Sequence, residues 1–173
     1  MAWLKRLAAP KIYPIERKVK KFIVSPRGPH PKEYSIPLLV IVRDILKLAD
    51  VAKEARHAIK HGDVMVDGRP VKDQKFGVGY FDVISIPSVK KHWRVLPPFK
   101  LVEVSDHDLK VCKVVNKVIL RGNKTQLNMD GGRNIIVNKS YPTRGSLIMS
   151  MPKQEIKHYI DLKKGNLVMI MRG

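Results

Sequence analysis

Residues 62–71 read Gly-Asp-Val-Met-Val-Asp-Gly-Arg-Pro-Val, two short extended runs on either side of Asp67-Gly68. An Asp-Gly pair tolerates the positive φ that both central residues of a type I′ turn require, so this stretch predicts a β-hairpin. Upstream, Asp50 is a candidate N-cap for a helix in which Ala52, Ala55 and Ile59 make the buried face and Gly62 supplies the left-handed stop. Lys53, Arg56, His57 and Lys60 then look outward. Further upstream, Leu38, Ile41, Val42, Ile45, Leu46 and Ala49 recur at the spacing of one apolar helical stripe, which predicts a first helix after Ile36. Arg43 and Lys47, four apart, share a different face of it. Both helices then present basic residues, on the condition that Asp44, Asp50, Glu54 and Asp63 sit mostly elsewhere. Downstream, residues 78–86 (VGYFDVISI) predict another strand, with Gly77 and Gly79 permitting a bend at its start.

Charge is the dominant feature of the whole chain. Its 173 residues include 34 Lys or Arg against 15 Asp or Glu, a formal net charge of +19. Residues 1–35 hold nine basic and two acidic residues, residues 36–87 eight and seven, and residues 88–173 seventeen and six. Like charges repel in a compact state, so an excess of this size points to a polyanionic partner, with nucleic acid foremost. Neutralising on the order of ten phosphates gives a slope of log K against log salt near −9 on a duplex. An anionic lipid surface would also attract the chain, but no lipidation signal or long amphipathic helix supplies an anchor. The longest apolar run, residues 38–42, is far short of the ~20 residues of a membrane helix. There is no secretory signal pattern, and the one cysteine, Cys112, sits in an apolar-basic run as a core or strand residue. The chain is expected in the cytoplasm.

Residues 1–35 contain five of the twelve prolines and few periodic apolar positions, which predicts an extended basic tail. Trp3, Tyr13 and Phe22 lie among its cations. They either stack on bases between phosphate contacts or pin the tail to its own domain. Beyond residue 88, residues 114–120, 134–137 and 147–149 are apolar or β-branched runs between Gly, Asn, Asp and Pro clusters, which predict short strands. Ser105-Asp106-His107-Asp108 is expected to cap a helical turn, and Asp130-Gly131-Gly132-Arg133 to make a hairpin turn.

Two basic-faced helices followed by Gly62-x-Val64-x-Val66-Asp67-Gly68 and the Asp82-Val83-Ile84 strand resemble the small αα-turn-β RNA-binding domain first named from a ribosomal protein. Arg43, Asp44, Leu46, Ala55, Ile59 and Val71 also carry the likeness. The flanks resemble one family: Leu4-Lys5-Arg6-Leu7-Ala8-Ala9-Pro10-Lys11, Gly28-Pro29-His30, Ile36-Pro37-Leu38, residues 79–86 (GYFDVISI) and Gly165-Asn166-Leu167-Val168-Met169 are similar to stretches of the archaeal and eukaryotic S4e family of small ribosomal subunit proteins. The resemblance implies an α+β chain: a basic tail (1–35), the small two-helix and hairpin domain (36–87), a central β-rich domain (88–164) and, at 165–173, the start of a truncated KOW-type segment. It implies a structural, non-enzymatic role on the ribosome, with small-subunit ribosomal RNA and neighbouring ribosomal proteins as partners, no small-molecule substrate, no cofactor and a monomer when free. The proposed RNA contacts are Lys5, Arg6, Lys11, Arg17, Lys18, Lys20, Lys21 and Arg27 in the tail; Arg43, Lys47, Lys53, Arg56 and Lys60 on the helix pair; Arg69 and Lys72 beside the hairpin; and Lys113, Lys117, Arg121, Lys124, Arg133 and Arg144 in the central domain, these last chosen on charge density alone.

Catalytic or metal-binding constellations are not legible in the sequence. The histidines His30, His57, His61, His92, His107 and His158 lack ligand spacing, and although His57 and His61 are four apart, nothing supplies a third ligand. The alternative readings are a free-standing RNA-binding or ribosome-associated factor, and, further off, an RNA-modifying enzyme that uses the same RNA-binding domain.

Overall fold

The computed structural model describes residues 4–170 and divides into two compact units, Met1–His107 and Asp108–Gly173. The first begins with a small antiparallel pair, β1 (Leu4–Lys5) with β2 (Phe22–Ile23), bridged by a 3-10 turn at Arg6–Ala8. β3 (Ile36–Pro37) leads directly into α1 (Leu38–Val40), which widens into a π-helical turn at Ile41–Ile45. The expected helix through Ala49 is therefore cut short. A single amphipathic stripe would leave Leu39 and Val40 exposed, yet they are 1% and 0% exposed, so this segment is buried on all sides. It closes with Leu46 N–H donating to the Ile41 carbonyl (2.8 Å) and Lys47 at φ 52°.

The second helix, α2 (Ala52–His61), follows the apolar pattern, with Ala55 and Ile59 fully buried. Its N-terminus differs from the reading of Asp50 as the cap. The flanking residue is Val51, and the Glu54 carboxylate reaches back to accept from the Asp50 and Val51 N–H groups at 3.2 and 3.4 Å. Gly62, at φ 90°, ends the helix, a conformation that costs a residue with a Cβ. The hairpin β4 (Met65–Val66) to β5 (Arg69–Pro70) turns on Asp67 and Gly68, both at positive φ (50° and 73°), as a type I′ turn requires.

The single strand expected over 78–86 is two. β6 (Gly77–Val78) pairs with β3, whereas β7 (Val83–Ile86) pairs with β4. Between them Phe81 adopts φ 63° and the buried Asp82 carboxylate accepts from Gly79 N–H at 2.9 Å, turning the chain. β8 (Lys91–Leu96) and β9 (Lys100–Glu103) extend the same sheet in the order β5-β4-β7-β8-β9. β8 continues the ladder along β7, so the first compact unit runs on to His107, beyond the residues 36–87 expected for the small two-helix and hairpin domain. No helical turn forms at residues 105–108; His107 N–H donates back to the Ser105 carbonyl at 2.9 Å.

Ala9, Tyr13 and Ile23 are buried in one cluster with Leu38, Ile41, Ile59, Val64 and Ile84. The N-terminal segment is thus part of the core of the first unit, a correction to its reading as an extended tail. His30 seals the junction: its Nε2 lies 3.0 Å from the Asp82 carboxylate, and its ring packs so close to Gly79 that a Cβ there would collide with it.

The second unit is an antiparallel sheet in the order β12-β11-β10-β13-β14. Its strands are β10 (Leu109–Leu120), β11 (Lys124–Met129), β12 (Asn134–Val137), β13 (Ser146–Ser150) and β14 (Glu155–Ile160). The long β10 changes register between Val114 and Asn116, so it pairs with β13 along its first half and mainly with β11 along its second. Cys112, Val114, Leu127, Met129, Leu147, Met149 and Met151 form its core. Asp130–Gly132 makes the β11–β12 connection, with Gly131 at φ 74°.

Candidate nucleic-acid interface

The cations of the N-terminal segment divide into two groups. Arg6 is only 5% exposed; it donates to the Glu16 carbonyl at 2.5 Å and lies 3.5 Å from Asp44. Arg17 donates to the carbonyls of Ala9 and Pro10 at 2.8 and 2.7 Å. Arg6 is thus buried in internal contacts, whereas Arg17 ties the segment together and stays half-exposed. Lys5, Lys11, Lys18, Lys20, Lys21 and Arg27 remain exposed. A shallow groove of about 450 Å³ brings Lys5, Arg17, Lys18, Lys20 and Lys21 together beside Leu7 and Val19. The two readings of the aromatics are resolved residue by residue. Tyr13 is buried, donates to the Ser35 carbonyl at 2.6 Å and has its pKa pushed up to about 12 by burial, so it pins the segment. Phe22 is 44% exposed with the Lys21 ammonium 5.4 Å from its ring, and Trp3 lies outside the described residues.

On the helical layer, Arg43 folds onto its neighbour. Its Nε and Nη2 donate to the two Asp44 carboxylate oxygens at 2.9 and 2.7 Å, a bidentate, charge-assisted pair. Lys47 is exposed just beyond. Lys53, Arg56 and Lys60 project from the solvent face of α2, and among the described residues they carry no ion pair. Of the acids that had to lie elsewhere, Asp44 is held by Arg6 and Arg43 and Glu54 by the helix N-terminus, while Asp63 stays exposed past the helix end. The hairpin adds Arg69 and Lys72, both exposed; a Cβ on Gly62 would stand 3.8 Å from Lys72 Cε, which sets Lys72 over the C-terminal end of α2. His57 and His61 stand with their Nε2 atoms 3.2 Å apart on exposed turns of α2, and among the described residues no three His, Cys, Asp or Glu side chains converge.

In the second unit Lys113, Lys117, Arg121, Lys124 and Arg144 are exposed and Arg133 is half-buried. Lys113 and Lys124 lie on one face of the sheet and Lys117 on the other, where it donates to Ser140 Oγ at 3.2 Å. Arg121 sits in the β10–β11 turn. These cations are spread over both faces and the loops. Charge density in the sequence found exposed residues but carried no information about which share a surface. Among the described residues no helix is long and apolar enough to cross a membrane.

A helix pair packed on a hairpin sheet, with unpaired cations along the outer helix, defines an RNA-binding protein of the S4-domain class. The S4 domain model matches residues 36–84, the RS4NT (NUC023) domain matches 3–33 and the Ribosomal family S4e matches 89–156. The small ribosomal subunit protein eS4 of Archaeoglobus fulgidus is 48% identical over 98% of this chain and 74% of its own length; that of Methanocaldococcus jannaschii is 45% identical over 98% and 75%. The crystal structure of the 30S ribosomal protein S4e from Thermoplasma acidophilum superposes with a TM-score of 0.67 at 35% identity, covering 81% of this chain and 76% of that one. The chain belongs to the S4e family of ribosomal proteins.

Proposed function

We propose that the protein is a structural constituent of the small ribosomal subunit in the cytoplasm, holding small-subunit ribosomal RNA and neighbouring ribosomal proteins in place without catalysing a reaction, and that it is a monomer when free. The observation that carries the RNA contact is the row of unpaired cations, Lys53, Arg56 and Lys60, on a helix beside which Asp44 and Glu54 are engaged in other contacts. Such residues fix position on the phosphate backbone more than they read sequence. The exposed lysines of the N-terminal groove, with Arg27, Lys47, Arg69 and Lys72, add further exposed cations, as do Lys113, Lys117, Arg121, Lys124, Arg133 and Arg144 from the second unit.

The test is a titration of rRNA at several salt concentrations. Replacing Lys53, Arg56 and Lys60 together by Ala should weaken binding and flatten the slope of log K against log salt by about two to three. Arg43→Ala should change that slope less than any one of the three, because its guanidinium is held bidentate by Asp44 rather than facing solvent alone. A triple variant with the parent's slope contradicts the assignment of this face.

A further inference from the structure

One face of the β10–β11–β12 sheet is built from neutral amides. Directly paired residues on neighbouring strands share a face, and successive residues along a strand alternate. The pairings Asn116↔Asn128 and Asn128↔Asn134 therefore line up three asparagines across three strands. The adjoining rank is Val118, Gln126 and Ile136. The other face of β11 carries Thr125, Leu127 and Met129, all buried, so the amide face looks away from the core. Asn116 and Asn134 are exposed, and Val118 and Ile136 are 43% and 58% exposed.

Asparagine is a poor strand former, so three in register do nothing for the sheet itself. Their mutual bonding is sparse: Gln126 Nε2 donates to Asn128 Oδ1 at 2.8 Å, and Asn116 Oδ1 accepts from Lys117 N–H at 2.8 Å. The side-chain N–H donors of all three asparagines remain available.

Resting on the rRNA-binding reading, we propose that this face reads the minor groove of an A-form RNA duplex, the amides bonding to 2′-hydroxyls and base edges while Val118 and Ile136 pack on the sugars. A-form RNA presents a wide, shallow minor groove carrying those groups, and the asparagine rank, two strand spacings long, spans about 10 Å. Each carboxamide offers both donor and acceptor, matching a hydroxyl that is both. The two ranks hold no aromatic side chain on which unpaired bases would stack, which favours duplex over single strand. RNA is favoured over a protein occupant by the surrounding charge: residues 108–173 hold thirteen Lys or Arg and four acids, and these six positions hold no acid.

The experiment titrates the full chain and its Asn116→Ala, Asn128→Ala, Asn134→Ala triple variant with an archaeal small-subunit rRNA transcript at several salt concentrations, and with a short RNA duplex against the DNA duplex of the same sequence. Three lost hydrogen bonds predict an affinity roughly 10- to 1,000-fold lower on the transcript. The salt slope should not change, because neutral amides displace no counterions, and the preference for RNA over DNA should shrink. Circular dichroism establishes that the variant is folded; the single change Asn134→Ala, on the exposed edge strand, should lower affinity by about two- to tenfold with the same slope even if the triple variant fails to fold. Affinity within about twofold of the parent, with the parent's steep salt dependence intact, overturns the assignment while leaving the rRNA reading standing, and gives the face to a protein neighbour. A slope that falls together with affinity also overturns it, since phosphate contacts were then lost. A parent chain without salt-dependent rRNA binding removes the rRNA reading and this inference with it.

Discussion

At the scale of single residues, equal charges have unequal fates. Arg6, Arg17 and Arg43 count towards the net +19, yet the guanidinium of each is held by partners within the fold, the Glu16 carbonyl, the Ala9 and Pro10 carbonyls and the Asp44 carboxylate. Composition points to a polyanion partner because it sums charges; it could not separate these three because their contacts are set by tertiary structure. Tyr13 shows a testable consequence. Its pKa is raised from 10.0 to about 12 by burial, so the neutral phenol favours the folded state fully below pH 10, and that contribution is lost as pH rises from 10 through about 12. The amount at stake is about 2 to 3 kcal/mol. Tyr13→Phe should cost about 1 kcal/mol near neutrality, through the lost bond to the Ser35 carbonyl, and should make denaturant midpoints less sensitive to pH between 10 and 12. An equally steep alkaline loss in the variant would contradict this role.

At the scale of elements, the hairpin and α2 were legible because their signals are local: Asp67-Gly68 for the turn, Ala55 and Ile59 for the buried face, Gly62 for the stop. The first helix and the strand over 78–86 were misread in extent because long-range packing decides them. Residues 38–42 are buried on every side, and Asp82 bends the chain to meet both Gly79 and His30. That junction belongs to two distant segments, so no window of sequence contains it. Gly79→Ala would drive a Cβ into the His30 ring, and should destabilise the first unit by about 1 to 3 kcal/mol in denaturant unfolding. His30→Ala in the same chain removes the obstacle, so the two costs should not add; strict additivity would argue against the contact. On the helical face the same logic separates Lys53, Arg56 and Lys60, which should carry salt dependence, from Arg43, which should carry less.

At the scale of the whole molecule, residues 4–107 and 108–170 form separate compact units, each strongly basic. The bound near residue 87 came with the family resemblance, and the compact units divide further on, where β9 has ended its ladder and β10 begins a new sheet. The four strands beyond residue 88 that the sequence did not reveal, β8, β9, β11 and β14, mix charged, polar and apolar residues with no apolar run longer than two, a pattern too weak to find without their partners. Two units this basic are suited to bridging separate stretches of one polyanion, and a structural constituent must do so in fixed ratio. The most direct measurement is sedimentation of a native cell extract through a gradient, followed by a high-salt wash and quantification against small-subunit rRNA. One copy per small subunit, retained through the wash, is the predicted result. Protein that is substoichiometric, or stripped by salt while the subunit stays intact, would contradict a structural role and point to a transient factor.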